Sequence, residues 1–368
     1  MSFKIIAQRG QARVGELATA HGVVKTPAYL PCATHGALRG LAPNQLESLE
    51  LDLILANAYH LYLKPGIDLI EQAGGLHKFM GWKRAILTDS GGFQAFALPK
   101  FVKFSEQGIK FRSHHDGSLH EFTPELVVDI QERLGVDLAT CLDVCTGFPV
   151  PEEKVEAAVD QTNRWAERSI SSWTKKEMKL YGMVQGSIYL AQRQKSAEFL
   201  TQLPFEGFAI GGNMYTFGQT VKDLNKEKPK MWEVVSFTTK LLPKNKPRHL
   251  LGVGEPQDII AGVEAGVDTF DCVMASRIAR HGSVWLEADG QYPRISLANS
   301  QYKNDFKPLD PNCSCPTCLT GVARSYLHHL VKIGDPAAGA ILTIHNVWTL
   351  EELTRKIRSE IVKRDENE

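Results

Sequence analysis

Polar residues end several short apolar runs of this sequence, and their types could support chemistry on a sugar. Asp89, Asp143 and Asp271 each end such a run, and Gln185 ends another. Two carboxyl groups that face one sugar can serve as nucleophile and general acid/base in a displacement at its anomeric carbon. The ordinary alternative is that Asp89 caps a turn and that Asp271 is a solvated strand end. For a single aspartate this structural interpretation is the better one. Several aspartates on one predicted face of the barrel make the catalytic and the structural interpretations equally good.

A compact group of thiols marks a candidate metal site near the C-terminus. Cys313, Cys315 and Cys318 lie close together, and His345 follows at a distance. Three thiolates and an imidazole form the closed tetrahedral set that structural Zn²⁺ takes. The histidine pair at 328–329 lies nearer in sequence, but adjacent histidines on a helix more often occupy one core and one surface position. The odd total of seven cysteines also favours metal binding over a disulfide framework.

Basic and glycine-rich segments beside these residues could bind phosphate. Arg277 and Arg280 closely follow Asp271, where cations could grip phosphates or read base edges, although loop arginines are mostly solvated. The Gly-Val-Gly-Glu sequence at 252–255 looks like a phosphate-cradling turn, which is a weak signal alone. Phe93 could stack on a base, but plain packing is the more ordinary use of such a phenylalanine.

Eight apolar runs, seven of which end in glycine or in a polar residue, must position these groups. Such runs are typical of buried parallel strands, and helical patterns separate most of them. They predict an α/β protein with a (β/α)8 TIM barrel, in which chemistry sits at the carboxyl ends of the strands. The runs are residues 28–34, 51–57, 84–90, 137–143, 180–186, 205–212, 248–254 and 267–273.

Two insertions and a tail depart from this rhythm. Residues 101–122 alternate around turns and predict antiparallel hairpins. Residues 300–345 carry the cysteines and predict a small zinc-binding lobe. The tail from residue 349 is predicted as a charged helix that frays into solvent. Since no repeat or low-complexity linker occurs, we expect residues 1–368 to form a single domain that contains this lobe.

Composition limits the class of protein and its partners. Charged residues make up 23% and hydrophobic ones 43%, and no apolar run approaches the length of a membrane span. The first residues do not resemble a secretory signal, so we expect a cytoplasmic protein without a membrane partner. The formal net charge is zero. A nucleic acid would therefore have to be held by a local basic surface.

Several segments resemble one family when they are taken together and in this order. They are LTDSGGFQ (87–94), LDVCTGFP (142–149), MVQGS (183–187), LLGVGEPQDI (250–259), FDCVMASRIARHG (270–282) and the cysteine cluster with His-Asn at 345–346. The chain is similar in these segments to the bacterial tRNA-guanine transglycosylases. The resemblance runs over most of the chain, and the combination is far more specific than any one motif.

The resemblance implies a pentosyltransferase that acts on tRNA. Guanine at the wobble position of GUN anticodons (tRNAs for Asp, Asn, His and Tyr) would be exchanged for a 7-deazaguanine, a step in queuosine modification. Asp271 would attack C1′ and form a covalent ribosyl-enzyme. Asp89 would be the general acid/base for the departing and the incoming base, so that two inversions give retention.

The resemblance also implies how the base is bound. Asp143 would read the N1/N2 edge, while the Gln185 side chain and the Gly212 amide would read O6. The ring would lie between Phe93 and Leu251, with the target base flipped out of the anticodon loop. Ser90, Gly91 and Gly92 complete the implied substrate-binding set.

The remaining implied contacts concern tRNA and metal. The residues that would hold the flanking nucleotides are Gly252, Val253, Gly254, Glu255, Pro256, Gln257, Asp258, Ser276, Arg277, Ile278, Ala279 and Arg280. The structural Zn²⁺ would be bound by Cys313, Cys315, Cys318 and His345. A homodimer is also implied, although Gly321-Val322 replace an aromatic residue that often supports the interface.

Two departures from the family pattern concern the incoming base and the tRNA. Residues 211–217, GGNMYTF, replace the usual GGLAVGE, so the glutamate that orients the peptide beside the 7-substituent has no obvious counterpart. Cys145 is retained and favours 7-aminomethyl-7-deazaguanine, yet the altered loop leaves queuine open. Residues 275–277 read Ala-Ser-Arg where Pro-Thr-Arg is usual, which keeps a hydroxyl and a cation.

Other functions remain as alternatives. A non-catalytic tRNA-binding partner subunit is the main one, and the presence of both Asp89 and Asp271 argues against it. A relative that modifies another part of tRNA usually carries further RNA-binding domains. Without the resemblance, a retaining glycoside hydrolase would be the expectation, distinguished by zinc content and by the absence of tRNA binding.

Overall fold

The computed structural model describes residues 3–98, 101–212 and 221–365. The strands are β1 (Phe3–Arg9), β2 (Ala12–Thr19), β3 (Gly22–Thr26), β4 (Ala28–Pro31), β5 (Leu53–Asn57), β6 (Ala85–Asp89), β7 (Val102–Phe104), β8 (Ile109–Arg112), β9 (Leu119–Phe122), β10 (Leu138–Thr140), β11 (Lys179–Val184), β12 (Gly207–Ile210), β13 (Arg248–Leu250), β14 (Thr269–Cys272), β15 (Ser283–Trp285) and β16 (Arg294–Ser296).

Helices follow most barrel strands. They are α1 (Pro43–Glu47), α2 (Ala58–Leu63), α3 (Ile67–Gln72), α4 (Leu76–Met80), α5 (Gly92–Ala97), α6 (Pro124–Leu134), α7 (Glu152–Ser172), α8 (Leu190–Leu200), α9 (Val221–Leu241), α10 (Pro256–Glu264), α11 (Met274–Arg280), α12 (Arg324–Ile333) and α13 (Pro336–Asp365). None of these helices is long and apolar enough to cross a membrane.

The predicted barrel is confirmed. Its strands pair in parallel in the order β4-β14-β13-β12-β11-β10-β6-β5, so each strand lies beside its neighbours in the chain. The barrel closes between β5 and β4, where Cys32 pairs with Leu55 and the Ala33 amide donates to the Leu55 carbonyl. Each of the eight apolar runs contains one of these strands, because a strand that is covered on both faces buries every side chain.

Local sequence fixes the ends of the helices around the barrel. The Thr123 hydroxyl accepts the Leu126 amide hydrogen at the start of α6, Pro124 occupies the first turn, and Gly135 ends the helix in the left-handed region. The 101–122 insertion forms the antiparallel sheet β7-β8-β9, as predicted. Its Phe111 packs on Tyr59, which places the insertion beside the start of α2.

The tail is helical as predicted over its described residues 349–365, but it packs on the barrel and does not fray into solvent there. Residue 349 lies inside α13, a 30-residue helix that packs on β1, β2, β4 and α11. Leu350, Leu353 and Ile361 are buried there. The charges that suggested exposure pair within the helix, since Glu351 accepts hydrogen bonds from Arg355 and Arg358. Internal ion pairs allow a charged stretch to lie against the barrel.

An N-terminal antiparallel sheet, which the sequence analysis did not predict, covers the amino ends of the barrel strands. Strands β1, β2 and β3 form it. Two buried aspartates join the sheet to the barrel. Asp268, just before β14, accepts both Nε and Nη2 of Arg13 on β2. Asp137, just before β10, bonds both the main chain and the ring of His21 in the β2–β3 turn.

Asp137 also ties two further elements together. It accepts the Ile86 amide of β6 at 3.0 Å, and His77 of α4 lies 3.3 Å from its second oxygen. Burial by itself would raise the pKa of Asp137, but the bonds from His77, His21 and the Ile86 amide outweigh it and lower this pKa to about 2. The ionised carboxylate is therefore the form that the fold stabilises.

We predict that Asp137→Asn lowers the free energy of unfolding at pH 7 by about 2 kcal/mol. Because the folded pKa lies below the ordinary value, the stabilisation is present above about pH 4 and is lost as pH falls towards 2. Urea unfolding of both proteins between pH 3 and 7 measures this. The control is Asp129→Asn on the exposed face of α6, which should change stability by less than about 0.5 kcal/mol. Equal stability of the two variants at pH 7 would contradict the role of Asp137.

Candidate active site

The carboxyl ends of the barrel strands bring the predicted base-site residues to one mouth. Asp89 ends β6 and Asp271 lies on β14, while Asp143, Gln185 and Gly212 follow β10, β11 and β12. Parallel strands that are neighbours in a barrel place their carboxyl ends at the same rim. Residues far apart in the chain therefore line one cavity.

Asp89 is built to hold a proton. Its Oδ2 accepts a hydrogen bond from Nδ2 of Asn57, the residue opposite it on β5, at 2.7 Å. Its Oδ1 is buried and has no hydrogen-bond partner among the described residues. Burial first, and then the charge of Asp271, raise the pKa of Asp89 to about 8, against the lowering effect of the Asn57 bond. At neutral pH this carboxyl group is mostly protonated.

Asp271 shares this cavity and is held differently. Its Oδ1 accepts the Gly252 amide hydrogen at 3.0 Å, and the Cys32 thiol lies 3.6 Å from its Oδ2. The side chain is buried, yet its negative charge acts on both Asp89 and Cys32 and raises their pKa values. The mouth of the barrel thus brings a carboxyl group that keeps its proton next to a second carboxyl group that raises its pKa, an arrangement that suits a general acid and a nucleophile.

A polar pocket surrounds Asp143 beside this pair. Oδ2 of Asp143 accepts hydrogen bonds from Nε2 of Gln185 and from the Cys145 thiol, and Oδ1 accepts the Ser90 hydroxyl. Burial raises the pKa of Asp143 in spite of these bonds. Gly212 lies at the same place, since a Cβ on it would come within 2.4 Å of the Gln185 side-chain oxygen. These donors and acceptors match the hydrogen-bonding edge of a purine base.

The two glycines after Ser90 are required by close packing. Gly91 has a φ of +78°, and a Cβ there would lie 2.6 Å from Cβ of Tyr59. A Cβ on Gly92 would lie 3.0 Å from the main-chain oxygen of Asp143. Phe93 follows on α5 and is 43% exposed, while Leu251 after β13 is half-buried. The glycines thus bring the loop against the pocket.

The four predicted metal ligands lie together. The thiols of Cys313, Cys315 and Cys318 and a nitrogen of His345 are within 4.8 Å of one another. Nε2 of His345 lies 2.8 Å from the Trp285 carbonyl oxygen, so Nε2 carries the hydrogen and Nδ1 faces the thiols, 3.3 Å from Sγ of Cys318. A metal-ligating histidine needs this tautomer.

The alternative fourth ligands are used elsewhere. His328 is buried with Nδ1 2.7 Å from the Leu297 carbonyl oxygen, and His329 is exposed on α12. Neither belongs to the group of ligand atoms found among the described residues. His345 is therefore the histidine that completes a site able to hold a metal ion.

Comparison with known protein families agrees with this geometry. The family model described as queuine tRNA-ribosyltransferase matches residues 8–367. The chain belongs to this family. A protein of that name from Desulforudis audaxviator is 42% identical over 98% of this chain and 94% of its own length. Proteins of the same name from Halothermothrix orenii (42% over 95% of this chain and 90% of its own length) and Caldanaerobacter subterraneus (44% over 96% and 91%) are similar along nearly all of both chains.

Family membership confirms the resemblance seen in the sequence and the expected class of enzyme, a pentosyltransferase. The departure at residues 213–217 falls outside the described residues.

Among the predicted tRNA-binding residues at 252–258, Gly252 and Gln257 are exposed and Glu255 is half-buried. Lys228 pairs with both Glu255 and Asp258 at 2.8 and 3.0 Å, so these acids are neutralised within the protein. The others, Val253, Gly254 and Pro256, are buried.

Positive charge at the mouth comes from arginines. Arg277 and Arg280 are exposed on α11, whereas Ser276, Ile278 and Ala279 are buried. Burial, and then the charges of Arg39 and Arg277, lower the pKa of Arg280, which places the three guanidinium groups near one another. Arg39, in the loop after β4, was missed by the sequence analysis because nothing in its local sequence distinguishes it from a solvated arginine.

Histidines near the mouth add little positive charge. Burial first, and then the neighbouring His35 and His114, lower the pKa of His60 to about 4. His35 and His114 also have lowered pKa values, for which burial is the largest cause. These rings are therefore mostly neutral at pH 7.

Arg193 is a further residue that the sequence analysis missed. It is fully buried, and its guanidinium donates to the main-chain oxygens of Val184, Ser187 and Gly212. These bonds connect the segments that follow β11 and β12, on which Gln185 and Gly212 lie. Burial lowers the pKa of Arg193 to about 9. A long side chain on α8 offers no sequence signal for this function.

We predict that Cys315→Ala abolishes metal binding and unfolds the C-terminal lobe, because it removes one of four ligands from a buried site. Elemental analysis of the purified protein and near-ultraviolet circular dichroism measure the two effects. Cys141→Ala is the matched control, since Cys141 is an equally buried thiol outside the cluster. A wild-type protein purified without chelator that contains no stoichiometric metal would contradict the prediction.

Proposed function

We propose that this protein is a tRNA-guanine transglycosylase that exchanges guanine at the wobble position of GUN anticodons for 7-aminomethyl-7-deazaguanine, with queuine as the other candidate base. The observation that carries the proposal is that Asp89, whose pKa is raised by burial and by the neighbouring Asp271, lies at the same mouth of the barrel as the hydrogen-bonded group of Asp143, Gln185 and Ser90. The name that the family shares with its relatives, queuine tRNA-ribosyltransferase, agrees with a ribosyl transfer on tRNA.

The first half-reaction follows from the two charge states. An oxygen of Asp271 attacks C1′ of the flipped-out nucleoside, the C1′–N9 bond breaks, and its electron pair leaves with guanine. Asp89 gives its proton to the departing base. The sugar is then an ester of Asp271, and Asp89 is the charged partner.

The second half-reaction reverses these roles. Asp89 takes the N9 proton from the incoming 7-deazaguanine, whose nitrogen attacks C1′ while Asp271 departs as a carboxylate. Two inversions give overall retention. In this proposal Asp143 accepts from N1 and N2 of the base, Gln185 and the Gly212 amide donate to O6, and Phe93 and Leu251 contact its faces.

The proposal of 7-aminomethyl-7-deazaguanine as the incoming base depends on Cys145, a small residue beside Asp143. Cys145 donates its thiol hydrogen to Asp143 at 3.5 Å and leaves the rest of the pocket to the base. The formal net charge of the chain is zero, so phosphates of the anticodon loop need a local basic surface. We propose that Arg39, Arg277 and Arg280 form it.

The metal, the domain and the partner are also part of the proposal. A closed set of three thiolates and one imidazole suits Zn²⁺, which would contribute to folding of the lobe and take no part in the chemistry.

We propose one domain over residues 1–368 with the lobe at 300–345 inside it, and a cytoplasmic homodimer. The lobe carries four exposed large apolar side chains, which favour a protein contact. They are Phe306, Leu319, Tyr326 and Ile333.

We predict that Asp271→Asn abolishes incorporation of labelled guanine into tRNA while the dissociation constant for tRNA changes by less than about threefold, because the amide is a poor nucleophile of similar shape. Filter binding and exchange assays measure both quantities. Asp129→Asn should exchange guanine at the wild-type rate. Undiminished exchange by Asp271→Asn would remove this aspartate from the mechanism.

We predict that kcat/KM for tRNA falls above about pH 8, because Asp89 must hold its proton when guanine departs and its pKa is about 8. Asp89→Asn should lower kcat/KM by about 10² to 10⁴ and should abolish this alkaline fall. The measurement is the pH–rate profile of both proteins from pH 6 to 9.5. A wild-type profile that stays flat to pH 9.5 would show that another group supplies the proton.

We predict that Arg277→Gln and Arg280→Gln each weaken tRNA binding and each reduce the slope of log Kd against log salt concentration by about one. Titrations of tRNA at four salt concentrations measure the slope. Arg164→Gln is the control, since Arg164 is exposed on α7 and pairs with Glu106. Equal slopes for all four proteins would place the tRNA elsewhere.

A further inference from the structure

A buried histidine lies against the charged aspartate of the active site. His249 is the middle residue of β13 and is fully buried. On the neighbouring strand β14 it pairs with Thr269, and Asp271 lies two residues further along the same face. Nδ1 of His249 is 2.9 Å from Oγ1 of Thr269, and Nε2 is 3.2 Å from Oδ1 of Asp271. The reaction steps above give this histidine no role.

The two neighbours select one tautomer of the ring. If Nδ1 carried the hydrogen, the lone pair of Nε2 would face the negative charge of Asp271 at 3.2 Å, which is repulsive. If Thr269 donates its hydroxyl hydrogen to Nδ1, Nε2 carries the ring hydrogen and faces the carboxylate. The second arrangement satisfies both contacts.

Nε2 of His249 is close to Oδ1 of Asp271, but the two atoms do not have the geometry of a hydrogen bond. The hydrogen of Nε2 is not aligned with Oδ1, and this nitrogen has no other hydrogen-bond partner among the described residues. Hydrogen bonds of catalytic groups are often poorly aligned without substrate and tighten in the complex. A small rotation of the carboxyl group would complete the bond.

The two oxygens of Asp271 are therefore not equivalent. Oδ1 is held by the Gly252 amide at 3.0 Å and faces Nε2 of His249. Oδ2 has the Cys32 thiol at 3.6 Å as its neighbour, which is a weak donor at a long distance. An oxygen without strong donors keeps its lone pairs available for attack.

We propose that His249, set in its tautomer by Thr269, is a positioning residue that with the Gly252 amide fixes Oδ1 of Asp271 so that Oδ2 attacks C1′. This rests on the proposed function. The C1′–Oδ2 bond forms as the C1′–N9 bond breaks, the electron pair goes to guanine, and the proton comes from Asp89. No proton passes through His249. In the ester Oδ1 becomes the carbonyl oxygen and keeps both donors, and these stabilise the carboxylate when it departs.

The test is the single-turnover rate of the covalent adduct between the full-length protein and tRNA, trapped by denaturation and resolved on a gel. His249→Phe keeps the ring and removes the donor, and should slow adduct formation by about 10² with tRNA affinity and melting temperature nearly unchanged. His249→Gln restores an N–H donor and should recover at least about tenfold of this loss.

Thr269→Val tests the tautomer separately and remains informative if His249→Phe does not fold. It is expected to slow adduct formation by about tenfold, because nothing then favours the hydrogen on Nε2 except Asp271 itself. Thr238→Val is the control, since Thr238 is an equally buried threonine whose hydroxyl bonds to Val234 in α9. It should form the adduct at the wild-type rate.

The outcomes separate this proposal from the proposed function. Wild-type rates in His249→Phe or in Thr269→Val overturn the role of His249 while adduct formation by the wild type still supports the transglycosylase. Equal slowing by His249→Gln and His249→Phe, with tRNA affinity retained, also overturns it, because the donor then does not matter. Absence of any adduct in the wild type, with tRNA bound, refutes the covalent mechanism itself.

Discussion

Asp89 and Asp271 lie near each other at the mouth of the barrel with little exposure to solvent, and two carboxylates in such a place repel each other strongly. One of them must keep its proton, and the burial of Asp89 outweighs the opposing hydrogen bond from Asn57 to make it that one. Burial first, and then the neighbouring Asp271, raise the pKa of Asp89 to about 8. In the proposed mechanism two identical side chains act as general acid and as nucleophile because their surroundings differ.

The barrel supplies that difference of surroundings. Asn57 can donate to Asp89 because β5 and β6 place them directly opposite, and Gly252 and His249 approach Asp271 because β13 lies beside β14. At the amino ends of the strands, Asp137 and Asp268 hold the N-terminal sheet against the barrel. Hydrogen-bonded aspartates thus hold one end of the barrel, whereas the other end carries Asp89, whose Oδ1 has no hydrogen-bond partner among the described residues.

A chain whose net charge is zero can attract a polyanion only where basic side chains are grouped on its surface. Arg39 lies in the loop after β4, whereas Arg277 and Arg280 lie on α11, and desolvation lowers the pKa values of the nearby His35, His60 and His114. The C-terminal lobe reaches α11 through α13, which carries His345 and packs on α11. A folded lobe therefore supports the helix on which Arg277 and Arg280 lie.

The sequence by itself determined the eight strands, since a strand covered on both faces must be apolar, and it determined which polar residues end them. It also determined the three thiols, which lie close together in the chain. The tertiary structure alone decided that His345 and not His328 joins the thiols, that α13 packs on the barrel, and that His249 and Arg193 belong to the site. Local patterns report which residues prefer burial, but a distance between residues far apart in the chain, or a pKa set by a neighbour's charge, exists only after the chain has packed.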